Sequence, residues 1–156
     1  MDKKERNYYL GIGSNIGDLT VNLDQAISQI VSIPETVFVS KSIFYLTKPW
    51  GYQEQPDFLN CAIQVKSPLS PYEFYSYLHE IEKQMGKNVE FKYGPRIIDI
   101  DILFCDDEVI KDDLLCIPHP LLHQRAFVLS SLNEIAPNFI HPILKKTIHE
   151  LYKEVL

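Results

Sequence analysis

The chain has 156 residues, with 15 Lys plus Arg against 21 Asp plus Glu, a formal net charge of −6 and a pI near 5.3. That length suits one domain, residues 1–156, and 46% hydrophobic residues are enough for a core, which excludes a disordered tail. The acidic balance excludes a broad nucleic-acid or anionic-membrane surface, which needs a basic face, but leaves room for a small anionic substrate held by a few local cations.

Three cysteines, Cys61, Cys105 and Cys116, occur without any Cys-x-x-Cys pair. Reduced thiols in a cytoplasmic protein are expected. The apolar run Tyr8 to Ile12 is too short for a signal peptide, and no stretch approaches the roughly 18 apolar residues of a bilayer span.

In chain order, Asn7 to Ile12 reads as a strand ending in a Gly-Ser-Asn-x-Gly turn. Asp18 or Thr20 caps a helix with Leu23, Ala26, Ile27, Ile30 and Val31 at helical spacing, and Pro34 stops it. Thr36 to Leu46, rich in β-branched and aromatic residues, predicts one long strand. A polar loop over 47–57 precedes Phe58 to Lys66. There Leu59, Cys61, Ile63 and Val65 alternate with Phe58, Asn60, Ala62 and Gln64. Ser70-Pro71-Tyr72-Glu73 combines a Ser N-cap, Pro at N1 and Glu at N3. Phe74, Tyr77, Leu78, Ile81 and Met85 give the buried stripe, and Gly86 the stop. Ile97 to Phe104 is the next strand, followed by helices near Leu121–Ile135 and Lys145–Val155. The order strand, helix, strand, strand, helix, strand is the split βαβ pattern, so an α+β fold with an antiparallel or mixed sheet under helices is expected.

The chemistry concentrates in Lys92-Tyr93-Gly94-Pro95-Arg96-Ile97-Ile98-Asp99-Ile100-Asp101-Ile102-Leu103. On a strand, Ile98, Ile100, Ile102 and Phe104 face one way and Asp99 and Asp101 the other. The two acids are about 6.6 Å apart along the strand. Side by side they repel, and a divalent cation between them removes the conflict; hard oxygen ligands suit Mg²⁺. Two acids on a solvated face would give the same pattern, but the Gly-Pro turn sets the cation Arg96 just before them, as a phosphate site requires. Pro118-His119-Pro120 and Arg125 form a second group, which by itself reads equally as a cap and a surface ion pair. Phe58 and Asn60 offer a stacking surface and an amide to a planar heterocycle, or else a packed second face. Gly11-Ile12-Gly13-Ser14-Asn15-Ile16-Gly17 matches neither a P-loop nor G-x-G-x-x-G spacing and reads as a turn that positions Asn15.

Together these segments resemble the 6-hydroxymethyl-7,8-dihydropterin pyrophosphokinase family, in order from Tyr9 to about Pro137. The resemblance rests on Gly13-Ser14-Asn15, Phe44-Tyr45-x-Thr47, Gln55-Pro56-Asp57-Phe58-Leu59-Asn60 and Ile81-Glu82. It continues through the full signature Lys92 to Leu103, Ile117-Pro118-His119-Pro120, Arg125-x-Phe127 and Glu134-Ile135-Ala136-Pro137. It implies a ferredoxin-like α/β sandwich and Mg²⁺-dependent transfer of pyrophosphate from ATP to the pterin hydroxymethyl group, releasing AMP, in folate biosynthesis. It also implies that Asp99 and Asp101 hold two Mg²⁺ ions. Arg96, His119 and Arg125 would contact the triphosphate, while Glu82 and Ile102 place the nucleoside. Lys87 and Lys92 would stand as catalytic cations toward the phosphates, where the family often has arginines. Phe58 and Phe127 would stack on the pterin and Asn60 hold its edge; Thr47, Pro49, Trp50 and Asn15 would form and support the adjoining wall. A monomer is expected, with association or fusion to a neighbouring folate-pathway enzyme also in view. The remaining alternatives are another phosphotransferase or nucleotide hydrolase using the same acids, separable by its adenine product, and a ferredoxin-like RNA-binding module, which the acidic sheet face disfavours.

Overall fold

A computed structural model of the chain describes residues 4–49, 51–87 and 93–156. The chain runs β1 (Arg6–Ser14), α1 (Leu19–Val31), β2 (Val37–Lys41), β3 (Tyr45–Thr47), β4 (Phe58–Ser67), α2 (Pro71–Gln84) and β5 (Asp99–Cys105). A two-stranded hairpin, β6 (Ile110–Lys111) and β7 (Cys116–Ile117), precedes a short 3-10 helix (Leu122–Gln124), α3 (Ala126–Ile135) and α4 (Ile148–Val155). The main sheet has the order β2-β4-β1-β5, with β3 also on β4, and every pairing is antiparallel. This is the ferredoxin-like arrangement: two βαβ halves interleave, so that β1 and β4 are central.

Local signals set the helices. The Asp18 side chain accepts from Val21 N at the start of α1. Ser70 and Glu73 close a capping box on α2, with Pro71 in the first turn; losing such a cap costs about 1 kcal/mol. Gly86, at φ 86°, terminates α2 in the left-handed region. Leu23, Ala26 and Ile30 of α1 and Phe74, Leu78 and Ile81 of α2 bury against Leu10, Ile12, Ile63 and Ile100 on one sheet face. On the other face, Leu129 and Leu132 of α3 and Ile148 and Leu151 of α4 bury against Tyr9, Ala62, Leu103 and Phe104. The result is a sheet between two helical layers.

Four elements differ from their sequence reading. The expected strand over 36–46 is two strands on one edge of β4. At the break, Ser42 N donates to Ala62 O at 2.9 Å and Ser42 Oγ accepts from Ala62 N at 3.0 Å, so a hydroxyl replaces a backbone partner. Strand β5 begins at Asp99, and its pairing with β1 passes from Leu10↔Ile102 to Tyr9↔Phe104, leaving Leu103 as an extra residue. That bulge turns Phe104 to the α3/α4 face, against simple alternation. The helix expected near 121–135 breaks at Arg125, which is extended at φ −108°, ψ 101°. The last helix starts at Ile148: Lys145 has φ 59°, and Thr147 and Glu150 form its capping box.

Candidate active site

The α3/α4 layer covers only part of its sheet face. Where it ends, three strands present alternate residues in two rows. Gly13 pairs with Asn60 on one side and Asp99 on the other; Gly11 pairs with Ala62 and Asp101. The glycines leave the floor between the amide and the acids bare. A Cβ at Gly13 would lie 2.7 Å from Asn60 Oδ1, a clash, while one at Gly11 would meet Leu103 at 3.4 Å. Above this floor lies a cavity of about 240 Å³. Phe58, Asn60 and Phe127 line it together with Asp99, Asp101 and Arg125. Thr47, Arg96 and His119 complete the set of expected residues that the fold brings to it. Asn60 Nδ2 donates to Thr47 Oγ1 at 2.7 Å, so β3 holds the amide in place.

The two acids have different surroundings. Asp99 Oδ1 lies 2.8 Å from Lys87 Nζ and 3.5 Å from an Arg96 guanidinium nitrogen. Burial works against its charge, but Lys87 and Arg96 outweigh burial and hold the carboxyl below its ordinary range. At Asp101 the attraction of Lys87 and Arg125 is outweighed. Burial, Asp99 and Glu82 together push its carboxyl well above the usual value. Its neighbour is His119, whose Nε2 is 4.0 Å from Asp101 Oδ2. His119 Nδ1 accepts from Leu121 N at 3.2 Å, which leaves the proton of the neutral ring on Nε2. Burial and Arg125 lower the His119 pKa to about 4, so the ring is neutral at pH 7.

Beside Asp99, α2 contributes Glu82, which is 7% exposed. One of its oxygens accepts from Ile100 N at 2.8 Å, satisfying the outer edge of β5, and from Lys87 Nζ at 2.8 Å. Burial raises the Glu82 carboxyl, and the lysine and backbone contacts offset this only in part. Burial also opposes the Lys87 charge, yet Asp99 and Glu82 raise its pKa above the ordinary value.

The Gly94-Pro95-Arg96 turn is held from the opposite end of the sequence. Asn15 Oδ1 accepts from Arg96 N at 2.9 Å, and Asn15 N donates to Arg96 O at 3.1 Å. Asn15 Nδ2 donates to Gln55 Oε1 at 2.8 Å and to Pro56 O at 3.0 Å; Gln55 Nε2 in turn donates to Tyr93 O at 2.6 Å. One buried asparagine thus ties the turn after β1 to the loops before β4 and β5.

Some expected residues lie elsewhere. Asn15 is consumed by that clamp behind the wall and does not line the cavity. Pro49 is buried outside the lining, and its carbonyl accepts from Gln53 Nε2 at 3.0 Å. Ile102 points into the α1/α2 core, as strand alternation with Asp101 requires. Glu82 and Lys87 flank Asp99 rather than line the cavity. Trp50 and Lys92 lie outside the described residues. The sequence reading missed the floor residues Gly11 and Gly13 and the clamp residue Gln55. Glycines two apart in a strand, a sign of a face cleared for close approach, were the available signal.

Among the described residues no group of three or more His, Cys, Asp and Glu side chains gathers as a metal site. Two carboxylates on one strand still fit Mg²⁺, which takes few protein ligands and leaves the others to phosphate and water.

A family model for 7,8-dihydro-6-hydroxymethylpterin-pyrophosphokinase matches residues 9–137. The 2-amino-4-hydroxy-6-hydroxymethyldihydropteridine pyrophosphokinase of Aquifex aeolicus is 42% identical over 146 residues, covering 94% of this chain and 90% of that protein. Folic acid synthesis protein FOL1 of Dictyostelium discoideum is also 42% identical, over 92% of this chain but 22% of its own length. The solved Plasmodium falciparum HPPK-DHPS with pteroate matches with a TM-score of 0.78 at 19% identity, over 99% of this chain and 43% of that one; this likeness shows the fold alone. The chain therefore spans less than half of that solved chain. On the family match and the close relatives, the chain belongs to the 7,8-dihydro-6-hydroxymethylpterin pyrophosphokinase family, a family of diphosphotransferases.

Proposed function

We propose that the chain transfers pyrophosphate from ATP to 6-hydroxymethyl-7,8-dihydropterin, releasing AMP and the pterin diphosphate. The observation that carries this reading is one cavity with two chemically opposite ends. At one end Phe58, Phe127 and Asn60 suit a flat, polar-edged ring. At the other, two acids sit among Arg96, Arg125 and a neutral His119.

Phe58 and Phe127 stack on the pterin and Asn60, held by Thr47, reads its edge. This sets the hydroxymethyl oxygen toward the acids. Asp99 and Asp101 hold two Mg²⁺ ions, which supply charge neutralisation at the phosphates. Arg96 and Arg125 bind phosphate oxygens, and His119 adds an Nε2–H donor without adding charge. Glu82 and the main chain of Ile102, whose side chain is in the core, place the nucleoside side of ATP at the outer edge of β5. The pterin oxygen bonds to the β-phosphorus as the bond from that phosphorus to the α–β bridging oxygen breaks. AMP leaves with the bridging oxygen, and the hydroxyl proton passes to solvent. Trp50 and Lys92 retain the roles that the family resemblance implies, and Pro49 backs the wall from outside the lining.

We read residues 1–156 as one unit, because α4 packs on α3 beyond the matched region. A monomer in the cytoplasm is proposed; no helix among the described residues is long and apolar enough to cross a membrane. A link to a neighbouring folate enzyme is proposed from the solved HPPK-DHPS chains. The deciding experiment mixes protein, ATP, Mg²⁺ and hydroxymethyldihydropterin and identifies the adenine product. AMP with pterin diphosphate supports the reading; ADP or free pyrophosphate points to a different phosphotransferase or hydrolase.

A further inference from the structure

Lys87 sits at a point of competition. Its ammonium is 2.8 Å from Asp99 Oδ1 and 2.8 Å from Glu82 Oε2, and its side chain is 22% exposed. Glu82 Oε2 is fixed independently by Ile100 N, at 2.8 Å, so the lysine has one permanent anchor and one contact that a ligand can take over. The contact open to competition is the carboxylate that the proposed function assigns to a divalent cation. An ammonium and a divalent cation cannot share a carboxylate oxygen without strong repulsion.

We propose that Lys87 is an internal counterion that neutralises Asp99 in the metal-free site and is displaced from it by the arriving cation. Glu82 then retains the lysine beside the site, where it faces the polyphosphate that enters with the metal. This rests on the metal assignment above and goes beyond it. The lysine is a positioning residue that exchanges partners between the two states. It keeps the carboxylate pair from repelling itself before loading, and it makes metal binding without nucleotide weaker than the bare carboxylates would allow.

The test is Mn²⁺ titration, followed by electron paramagnetic resonance, on nucleotide-free protein and on protein with a non-hydrolysable ATP analogue bridged between the α- and β-phosphates. Lys87→Met is expected to bind Mn²⁺ alone about tenfold more tightly than the parent, the scale of one charge-assisted contact removed from the competition. The same variant is expected to bind the Mn²⁺–analogue pair more weakly, because the contact to phosphate is lost. Lys83→Met removes the same charge from the exposed last turn of α2 and should change Mn²⁺ affinity less than twofold, which separates competition from net charge. Lys87→Arg, which keeps a cation at the position, should stay close to the parent. Equal or weaker Mn²⁺ binding by Lys87→Met overturns the proposal, and parent binding of Mn²⁺ with the analogue then leaves the pyrophosphokinase reading standing. No Mn²⁺ binding by the parent even with the analogue overturns both.

Discussion

The two faces of the sheet are built from the same strands and have opposite fates. Toward α1 and α2, β1, β4 and β5 present Leu10, Ile12, Ile63, Val65, Ile100 and Ile102, all buried. Toward α3 and α4 the same strands present Tyr9, Ala62 and Phe104 where the helices cover them, and Gly11, Gly13, Asn60, Asp99 and Asp101 where they do not. Alternation therefore divides the strands residue by residue: one side chain packs into the core and the next, where the helices stop, faces the cavity. A substitution should cost stability or function according to the parity of its position more than its distance along the chain.

The acids provide the hardest test of that division. Asp99→Ala or Asp101→Ala should lower turnover by about a thousandfold or more, with the circular dichroism spectrum unchanged. Near-native turnover in either variant would remove the metal assignment. Next come neighbours of opposite parity. Ile12→Ala should cost roughly 2–5 kcal/mol in urea denaturation while the surviving folded protein keeps its substrate affinities. Gly13→Ala should instead displace Asn60 and raise the KM for pterin with little change for ATP. If both variants shifted the same observable, the division would fail.

The covered end of the α3/α4 face should show itself in pH dependence. His141 is 4% exposed, packs edge-on to Phe104 and accepts from Ile143 N and Leu144 N at 3.1 Å through Nδ1. Burial and the nearby His123 lower its pKa to about 4, against about 6.5 unfolded. A depressed histidine pKa means the unfolded chain takes up the proton first. Its contribution is intact above pH 6.5 and declines as the pH falls toward 4. Roughly 2 kcal/mol should be lost between pH 7 and 5, and His141→Asn, which still accepts both amides, should remove that part of the slope. A slope identical to the parent's would place the titration elsewhere. The smallest effect belongs to the aromatic end: Phe127→Ala should weaken pterin binding about tenfold and ATP binding less. Equal losses would argue against stacking.

Local signals carried well. Ser70 to Glu73 closed the expected capping box, Phe58 to Lys66 alternated as written, and the resemblance from Tyr9 to about Pro137 coincides with the family match over 9–137. The departures arise where distant segments decide. The bulge at Leu103 is set by pairing with β1, and nothing between Ile97 and Phe104 announces it. The split of the second strand depends on a Ser42 hydroxyl meeting Ala62. Lys87 reads as a phosphate cation in a loop, but the fold brings Glu82 and Asp99 to it from α2 and β5. The Ile102 side chain lies in the core, as alternation with Asp101 already required.

The asparagine clamp also bears on how the site comes into being. The bond from Arg96 N to Asn15 Oδ1 closes over 81 residues, and those to Gln55 and Pro56 over 40 and 41. Contacts of such separation form only after the intervening chain has lost much of its freedom, and proteins rich in them fold slowly. Helices α1 and α2, defined by near neighbours, can form while the arginine turn is still adrift. During refolding, helical signal should therefore return ahead of catalytic turnover, and activity becomes a late reporter of native closure.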